Sequence, residues 1–240
     1  MHALRSADHG IPLGATTTCR KCGLYRKCLP AQLDSASLDC LECVINHRRH
    51  VPSGGYLYRS GSRFASLFVL RSGCLKTVHT FADGRFRVTG FHLAGEMVGF
   101  DGLGNGVHVC DAITLQDCNV CELPFEAIQQ LSTGNPQLQR YFHRVMGREI
   151  AREHAASLLL ASTRASERVA AFLLHLSARY EALGNRPGPL RLRMTRGDVG
   201  SYLGLSHETV SRALTQLQQD GLIRVKGRKV EIVSTKFVPA

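Results

Sequence analysis

The sequence predicts an α+β chain built as a β jelly roll, then one long helix, then a C-terminal winged helix-turn-helix. Three observations carry this. Short β-rich runs punctuated by glycine recur between about 51 and 125. A helical stretch runs from Pro136 to about Thr163 with only Gly147 in its interior. From Thr195 to Val233, two helical runs flank Gly204 and a basic hairpin follows.

Taken in order, residues 1–18 carry no hydrophobic period, and Met1–Thr18 lacks the apolar core of a secretory signal. Residues 19–43 hold five of the nine cysteines. The candidate strands are Tyr56–Tyr58, Ser66–Leu70, Leu75–Thr80, Phe86–His92, Ala112–Thr114 and Asn119–Leu123. Gly54-Gly55, Ser72-Gly73, Asp83-Gly84 and Gly102–Gly106 supply turns, with Asp83-Gly84 a hairpin signal. Evenly spaced short strands predict a small antiparallel barrel or jelly roll.

Asn135 is a cap and Pro136 a first position for the long helix. His143, Met146, Ile150, Glu153 and Ser157 fall on a 3-4 seam in which only Met146 and Ile150 are apolar. Such a seam reads either as an ordinary amphipathic helix on the barrel or as a weak, tunable dimer contact. Residues 164–183 form a further amphipathic helix through Val169, Phe172, Leu173 and Leu176, and Gly184–Pro189 is a turn.

With 240 residues, 44% of them hydrophobic, the chain has room for one large or two modest domains. Its net charge of +11 favours a polyanionic partner, nucleic acid first and an anionic membrane surface second. No segment is long and apolar enough to span a bilayer, so a cytoplasmic protein, or a nuclear one in a eukaryote, without membrane partners is expected. Nine cysteines, an odd number, argue against a disulfide framework there and leave metal ligation, redox chemistry or burial.

The C-terminal motif carries the sharpest chemistry. Thr195-Arg196-Gly197-Asp198 opens one helix, Gly204 breaks it, Ser206 caps a second from His207 to Asp220, and Gly221 ends that. Two helices about a short glycine turn make a helix-turn-helix. The second helix buries Val210, Leu214 and Leu217. It leaves His207, Glu208, Ser211, Arg212 and Thr215 outward on its first two turns, where a recognition helix meets the major groove. Arg212 matches a bidentate contact to guanine, Glu208 accepts from a cytosine amine, and Ser211 suits either edge. Leu222–Val225, Lys226-Gly227-Arg228 and Lys229–Val233 form a wing whose Lys226 and Lys229 suit phosphates.

The run Leu203-Gly204-Leu205-Ser206-His207-Glu208-Thr209-Val210-Ser211-Arg212 resembles the helix-turn-helix of the CRP–FNR superfamily, and Glu-x-x-Ser-Arg resembles its FNR group. The likeness extends over nearly the whole chain through the barrel and the long helix, and Phe91–Asp101 also looks like the FNR group. It implies a cyclic-nucleotide-binding-like barrel as sensor domain, residues 31–135, a dimerisation helix, 136–163, and a DNA-binding domain, 164–240. It also implies inverted-repeat sites resembling TTGAT-N4-ATCAA and contact with RNA polymerase, with the Asp83-Gly84 turn where a contact loop would lie. His207 stands where the family pattern has an apolar residue. Family receptors of cyclic nucleotides use a glutamate for the ribose and an arginine-serine pair for the phosphate. Those positions are here Phe100, Cys110 and Asp111, a set without a cation, so no cyclic nucleotide is expected.

Cys19-x2-Cys22-x5-Cys28 is a close thiolate trio, and Cys19/Cys22, Cys40/Cys43 and Cys118/Cys121 are Cys-x2-Cys pairs. Spacing alone permits zinc on the first two pairs or an iron–sulfur cluster on four thiolates. The FNR resemblance implies the second. The trio has the spacing of its oxygen sensors, and Cys121-Glu122-Leu123-Pro124-Phe125-Glu126 matches the segment that begins with their fourth ligand. The implied ligands of a [4Fe–4S] cluster are Cys19, Cys22, Cys28 and Cys121, within an N-terminal cluster-binding segment, 1–30. Cys40, Cys43, Cys74, Cys110 and Cys118 are then spare. The implied function is an oxygen-responsive global regulator, activating or repressing anaerobic genes, whose cluster promotes dimerisation on the seam of Met146 and Ile150 against the repulsion of Glu153 facing its symmetry mate. The alternative is a CRP-like regulator sensing through zinc, thiol redox or a small ligand. A cysteine-based redox enzyme is disfavoured because no histidine motif pairs with a cysteine and no Gly-rich cofactor loop is present.

Overall fold

The computed structural model describes residues 18–25, 28, 31, 33–45, 48–160, 164–185 and 188–234. Residues 161–163, the expected end of the long helix, and the side chains of Cys40 and Cys43 lie outside the described residues.

Eight strands form the jelly roll: β1 (Arg48–Val51), β2 (Tyr56–Tyr58), β3 (Ser66–Ser72), β4 (Cys74–Thr80), β5 (Phe86–Leu93), β6 (Met97–Val98), β7 (Asp111–Thr114) and β8 (Cys118–Pro124). They pair antiparallel in two four-stranded sheets, ordered β1-β8-β3-β6 and β2-β7-β4-β5. Leu57, Leu70, Leu75, Val98, Ala112, Cys118 and Val120 fill the space between them. All six expected strands form, each within two residues of the expected ends. β1 and β6 were not expected, since Arg48-Arg49-His50 reads as solvated charge and Met97-Val98 is only two residues long.

Each sheet also has a covered outer face. Leu67, Val69, Met97 and Leu123 of the first sheet pack against α1 (Ser35–Val44), α2 (Phe125–Thr133) and the start of α3 (Pro136–Leu159). Asn135 Oδ1 accepts from Leu138 N at 3.0 Å, so the expected cap of α3 forms. Val78, Val88, Phe91 and Leu93 of the second sheet join one apolar core with α4 (Ala165–Ala182), α5 (Arg196–Leu203) and α6 (His207–Gln219). Phe91 of β5, Phe172 of α4 and Tyr202 of α5 meet at its centre, with ring centroids 5.3–5.9 Å apart. Edge-to-face rings of this kind hold elements at fixed angles as well as burying area. Lys76 Nζ donates to Asp198 Oδ1 at 2.5 Å, and Val88 N donates to Ser201 Oγ at 2.9 Å. The barrel and the C-terminal domain are thus joined by packing and by polar contacts. Among the described residues no helix is long and apolar enough to cross a membrane.

Candidate nucleic-acid interface and cysteine pocket

The helix-turn-helix is fixed by local chemistry. Thr195 Oγ1 accepts from Asp198 N at 3.0 Å while Asp198 Oδ2 accepts from Thr195 N at 2.9 Å, a reciprocal cap that starts α5. Gly204 ends α5 at φ +66°, a conformation that favours glycine. Gly200 lets the turn close on α5, because a Cβ there would lie 2.5 Å from Leu205 O. Ser206 Oγ then accepts from Thr209 N at 3.2 Å and starts α6.

Helix α6 buries Val210, Ala213, Leu214 and Leu217, and leaves His207, Glu208, Ser211, Arg212 and Thr215 exposed. All five expected reading residues therefore lie on one outward face. Ser211 Oγ donates to His207 O at 3.0 Å and Thr215 Oγ1 to Ser211 O at 3.1 Å, so both hydroxyls present lone pairs to a neighbour. The backbone N–H and the Ser206 hydroxyl at the helix start hold the Glu208 carboxyl below its usual range, keeping it an acceptor. The wing pairs β10 (Ile223–Lys226) with β11 (Lys229–Ile232), and Lys226 lies opposite Lys229 at the tip. Lys226, Arg228 and Lys229 are all exposed there. Strand β9 (Leu190–Arg191) adds to β11 and completes a three-stranded sheet not foreseen in the sequence.

The four expected cysteine ligands come to one place. Cys19, Cys22, Cys28 and Cys121 line a single small apolar pocket, together with Tyr25, Val69 and Leu123. The trio reaches it through successive tight turns, with Cys22 N donating to Cys19 O at 3.0 Å, Tyr25 N to Cys22 O at 2.9 Å and Cys28 N to Tyr25 O at 3.4 Å. Cys121 sits on β8 opposite Arg48 of β1 and Val69 of β3. Side chains alternate across a strand, so positions 118 and 121 face opposite ways. Cys118 accordingly lies in the barrel core, fully buried. Cys74 and Cys110 are buried too, the fate expected of spare cysteines. Among the described residues, no group of three His, Cys, Asp or Glu is placed to hold a single metal ion.

Burial, and after it the neighbouring Cys121 sulfur, pushes the Cys19 thiol up to about 11. Burial also raises Cys121, while Arg71 and Arg48 pull it the other way. Arg20, within the cysteine loop, donates to Asp39 at 2.7 Å and to Ser35 Oγ at 3.0 Å, which ties the loop to α1. Sequence reasoning missed Arg20, Arg48 and Arg71. Arginines flanking the cysteine segments were the available signal.

On α3 the seam residues His143, Ile150, Glu153 and Ser157 are exposed and Met146 is half-buried. Ile150 is 58% exposed. Glu153 Oε1 lies 3.5 Å from Arg152.

The Crp-like helix-turn-helix domain model matches residues 167–236, and the cyclic nucleotide-binding domain model matches 48–135. The transcriptional activator protein FnrA of Stutzerimonas stutzeri is 41% identical over 217 residues, covering 90% of this chain and 89% of the relative. The fumarate and nitrate reduction regulatory protein of Escherichia coli (strain K12) is 40% identical over 219 residues, covering 91% and 88%. This chain belongs to the FNR group of the CRP–FNR family of transcription regulators. The structure of FixK2 from Bradyrhizobium japonicum superposes with a TM-score of 0.72 at 27% identity, covering 81% of this chain and 98% of that one.

In this FNR-group regulator two carboxylates, Asp101 and Asp111, stand beside Cys110, one of the positions expected to face a cyclic phosphate. Asp101 accepts from Val109 N at 3.0 Å, from Cys110 N at 3.2 Å and contacts His108 Nδ1 at 3.1 Å. Asp111 accepts from Ser60 N at 2.8 Å. The backbone N–H groups of Val109 and Cys110 are thus already taken by a side chain of the same FNR-group barrel.

Proposed function

We propose that this transcription regulator senses oxygen through a [4Fe–4S] cluster held by Cys19, Cys22, Cys28 and Cys121, and binds inverted-repeat DNA resembling TTGAT-N4-ATCAA as a dimer. The observation that carries the reading is that Cys121 and the Cys19, Cys22 and Cys28 trio, distant from it in sequence, line one apolar pocket. The donor set fits: four thiols, no competing carboxylate on the wall, and Arg48 and Arg71 beside Cys121 to offset the negative charge of thiolate ligation. When bound, the cluster supplies an oxygen-labile cross-link between the N-terminal loop and the barrel.

The remaining work falls to the chain's own side chains. Arg20 and α1 hold the cysteine loop against the first sheet. Cys28 and Tyr141 of α3 line one cavity, which brings the loop next to α3. In a dimer through the seam, Glu153 faces its symmetry mate, and two carboxylates in a contact made by Met146 and Ile150 oppose association. Cys19, Cys22, Cys28 and Cys121 would hold the cluster, and its ligation would supply binding energy able to offset this opposition. Dimerisation then sets two copies of α6 about 34 Å apart, one turn of DNA. Arg212, Glu208 and Ser211, with His207 and Thr215 beside them, read bases, while Lys226 and Lys229 hold phosphates.

A cyclic nucleotide is not the signal, because its phosphate would meet Asp101 and Asp111 instead of a cation. The β4–β5 turn at Asp83-Gly84 is offered to RNA polymerase, with Phe81 and Phe86 exposed on its flanks. Iron and acid-labile sulfide, measured with the visible spectrum on protein purified without oxygen, test the proposal. Near-stoichiometric iron and sulfide and a brown colour bleached by air are expected. A colourless protein, whether metal-free or holding zinc, would overturn it.

A further inference from the structure

A cavity of about 520 Å³ opens between the first sheet, the middle of α3 and the end of α4. That is the size of a small-molecule site. It lies outside the barrel, against Val69 and Met97 of the sheet's outer face, with Val145 and Leu183 completing an apolar floor. Its rim is charged. Arg179 donates to both oxygens of Glu96, at 3.0 and 2.6 Å, and Arg152 is paired with Glu149. Arg148, exposed at the mouth, makes no ion pair among the described residues. Arg152 also lies 3.5 Å from Glu153, so Arg152 and Arg179 are matched by Glu96, Glu149 and Glu153, and Arg148 is the cavity guanidinium that no carboxylate engages among the described residues. His175 also lines the cavity, and its buried Nε2 has no hydrogen-bond partner.

We propose that this cavity binds a small amphipathic monoanion, a monocarboxylate with a short apolar tail. The carboxylate pairs with Arg148, and the tail covers the floor formed by Val69, Met97, Val145 and Leu183. An apolar floor beside one unengaged guanidinium offers a carboxylate an ion pair, while a cation finds Glu96 and Glu149 already paired with arginines and a neutral alcohol gains no ion pair. The site lies between the barrel and the helices α3 and α4, so its occupant bears on how the two pack. Cys28 lines this cavity as well as the cysteine pocket.

Titration calorimetry on the full chain, purified in air, tests this with hexanoate, hexylamine and hexan-1-ol as probes. Saturable binding of one hexanoate per chain is expected, with no binding of hexylamine. Arg148→Gln should weaken hexanoate by about tenfold or more. Ala182→Trp, which fills the cavity wall, should abolish binding while leaving thermal unfolding unchanged. Absence of saturable hexanoate binding, equal binding of hexan-1-ol, or an unaffected Arg148→Gln or Ala182→Trp variant would each overturn the proposal. The measurement uses neither iron nor DNA, so its failure leaves the regulatory reading standing, and the reverse holds.

Discussion

Lys76 of the barrel donates to Asp198 of the first helix-turn-helix helix at 2.5 Å, and the same carboxylate caps that helix through Thr195. One side chain thus serves the local fold of the DNA-reading domain and its attachment to the sensor domain. Burial alone would raise the Asp198 carboxyl, but the bonds from Lys76 and Thr195 outweigh it and hold the group below its usual range. A carboxylate depressed by folding contributes stability above its unfolded value, about 3.9, and loses it as pH falls through the lower folded value. Lys76→Met should destabilise the protein by about 1–3 kcal/mol at neutral pH. It should also move the acid-unfolding midpoint to higher pH. Denaturant titrations at neutral and acid pH check both; an unchanged acid midpoint would show that the pair does not couple to folding.

Single Cys→Ser changes at 19, 22, 28 or 121 should each abolish iron binding without oxygen, because each removes one of four converging ligands. The same change at Cys118 should leave iron intact, since Cys118 is enclosed in the barrel core. Cys40→Ser and Cys43→Ser should also retain it. Equal iron loss at Cys40 and Cys43 would move the site to the first two Cys-x2-Cys pairs.

Arg212→Ala should cost about 1–3 kcal/mol at a specific site and relax the preference at its guanine. Lys226→Ala or Lys229→Ala should weaken all sequences alike and flatten the salt dependence. Binding measured on specific and random DNA across salt concentrations separates the two. Equal losses on both DNAs for Arg212→Ala would remove this residue from base reading.

Glu153→Ala should dimerise and bind DNA in air, without iron. The contact 3.5 Å from Arg152 already offsets part of the Glu153 charge, so the gain should be graded, rising with protein concentration. Sedimentation of the aerobic variant decides the point: a persistent monomer at micromolar concentration leaves only Met146 and Ile150 in the seam.

The C-terminal half was legible because its signals are local. Thr195, Gly204, Ser206 and Gly227 each fix backbone through their own chemistry, and helix and wing boundaries fall within a residue or two of the expected ones. The β4–β5 hairpin followed from Asp83-Gly84 in the same way. Helix α1 was not read because Cys40-x2-Cys43 is helix spacing as much as zinc spacing, and its Asp34 cap precedes a serine-rich, weakly apolar run. Helix α2 was hidden by Pro124, which ends β8 and sits at the cap of the next element. The cysteine assignment came from family pattern. No spacing rule links Cys121 to a trio some ninety residues earlier, and the shared pocket depends on how β8 pairs with β1 and β3.

The meeting of Phe91, Phe172 and Tyr202 bears on modular engineering of this chain. The backbone passes from one domain to the other between α3 and α4, which invites a cut there. The apolar core ignores that boundary, since the outer face of β4 and β5 is completed by α4 and α5. A sensor exchanged at the covalent junction alone would expose Val78, Val88 and Phe91 on one piece and Phe172 and Tyr202 on the other. A functional chimaera must therefore carry the outward residues of β4 and β5 with the DNA-reading half, so the exchangeable unit is defined by the side chains on one sheet face and not by a stretch of chain.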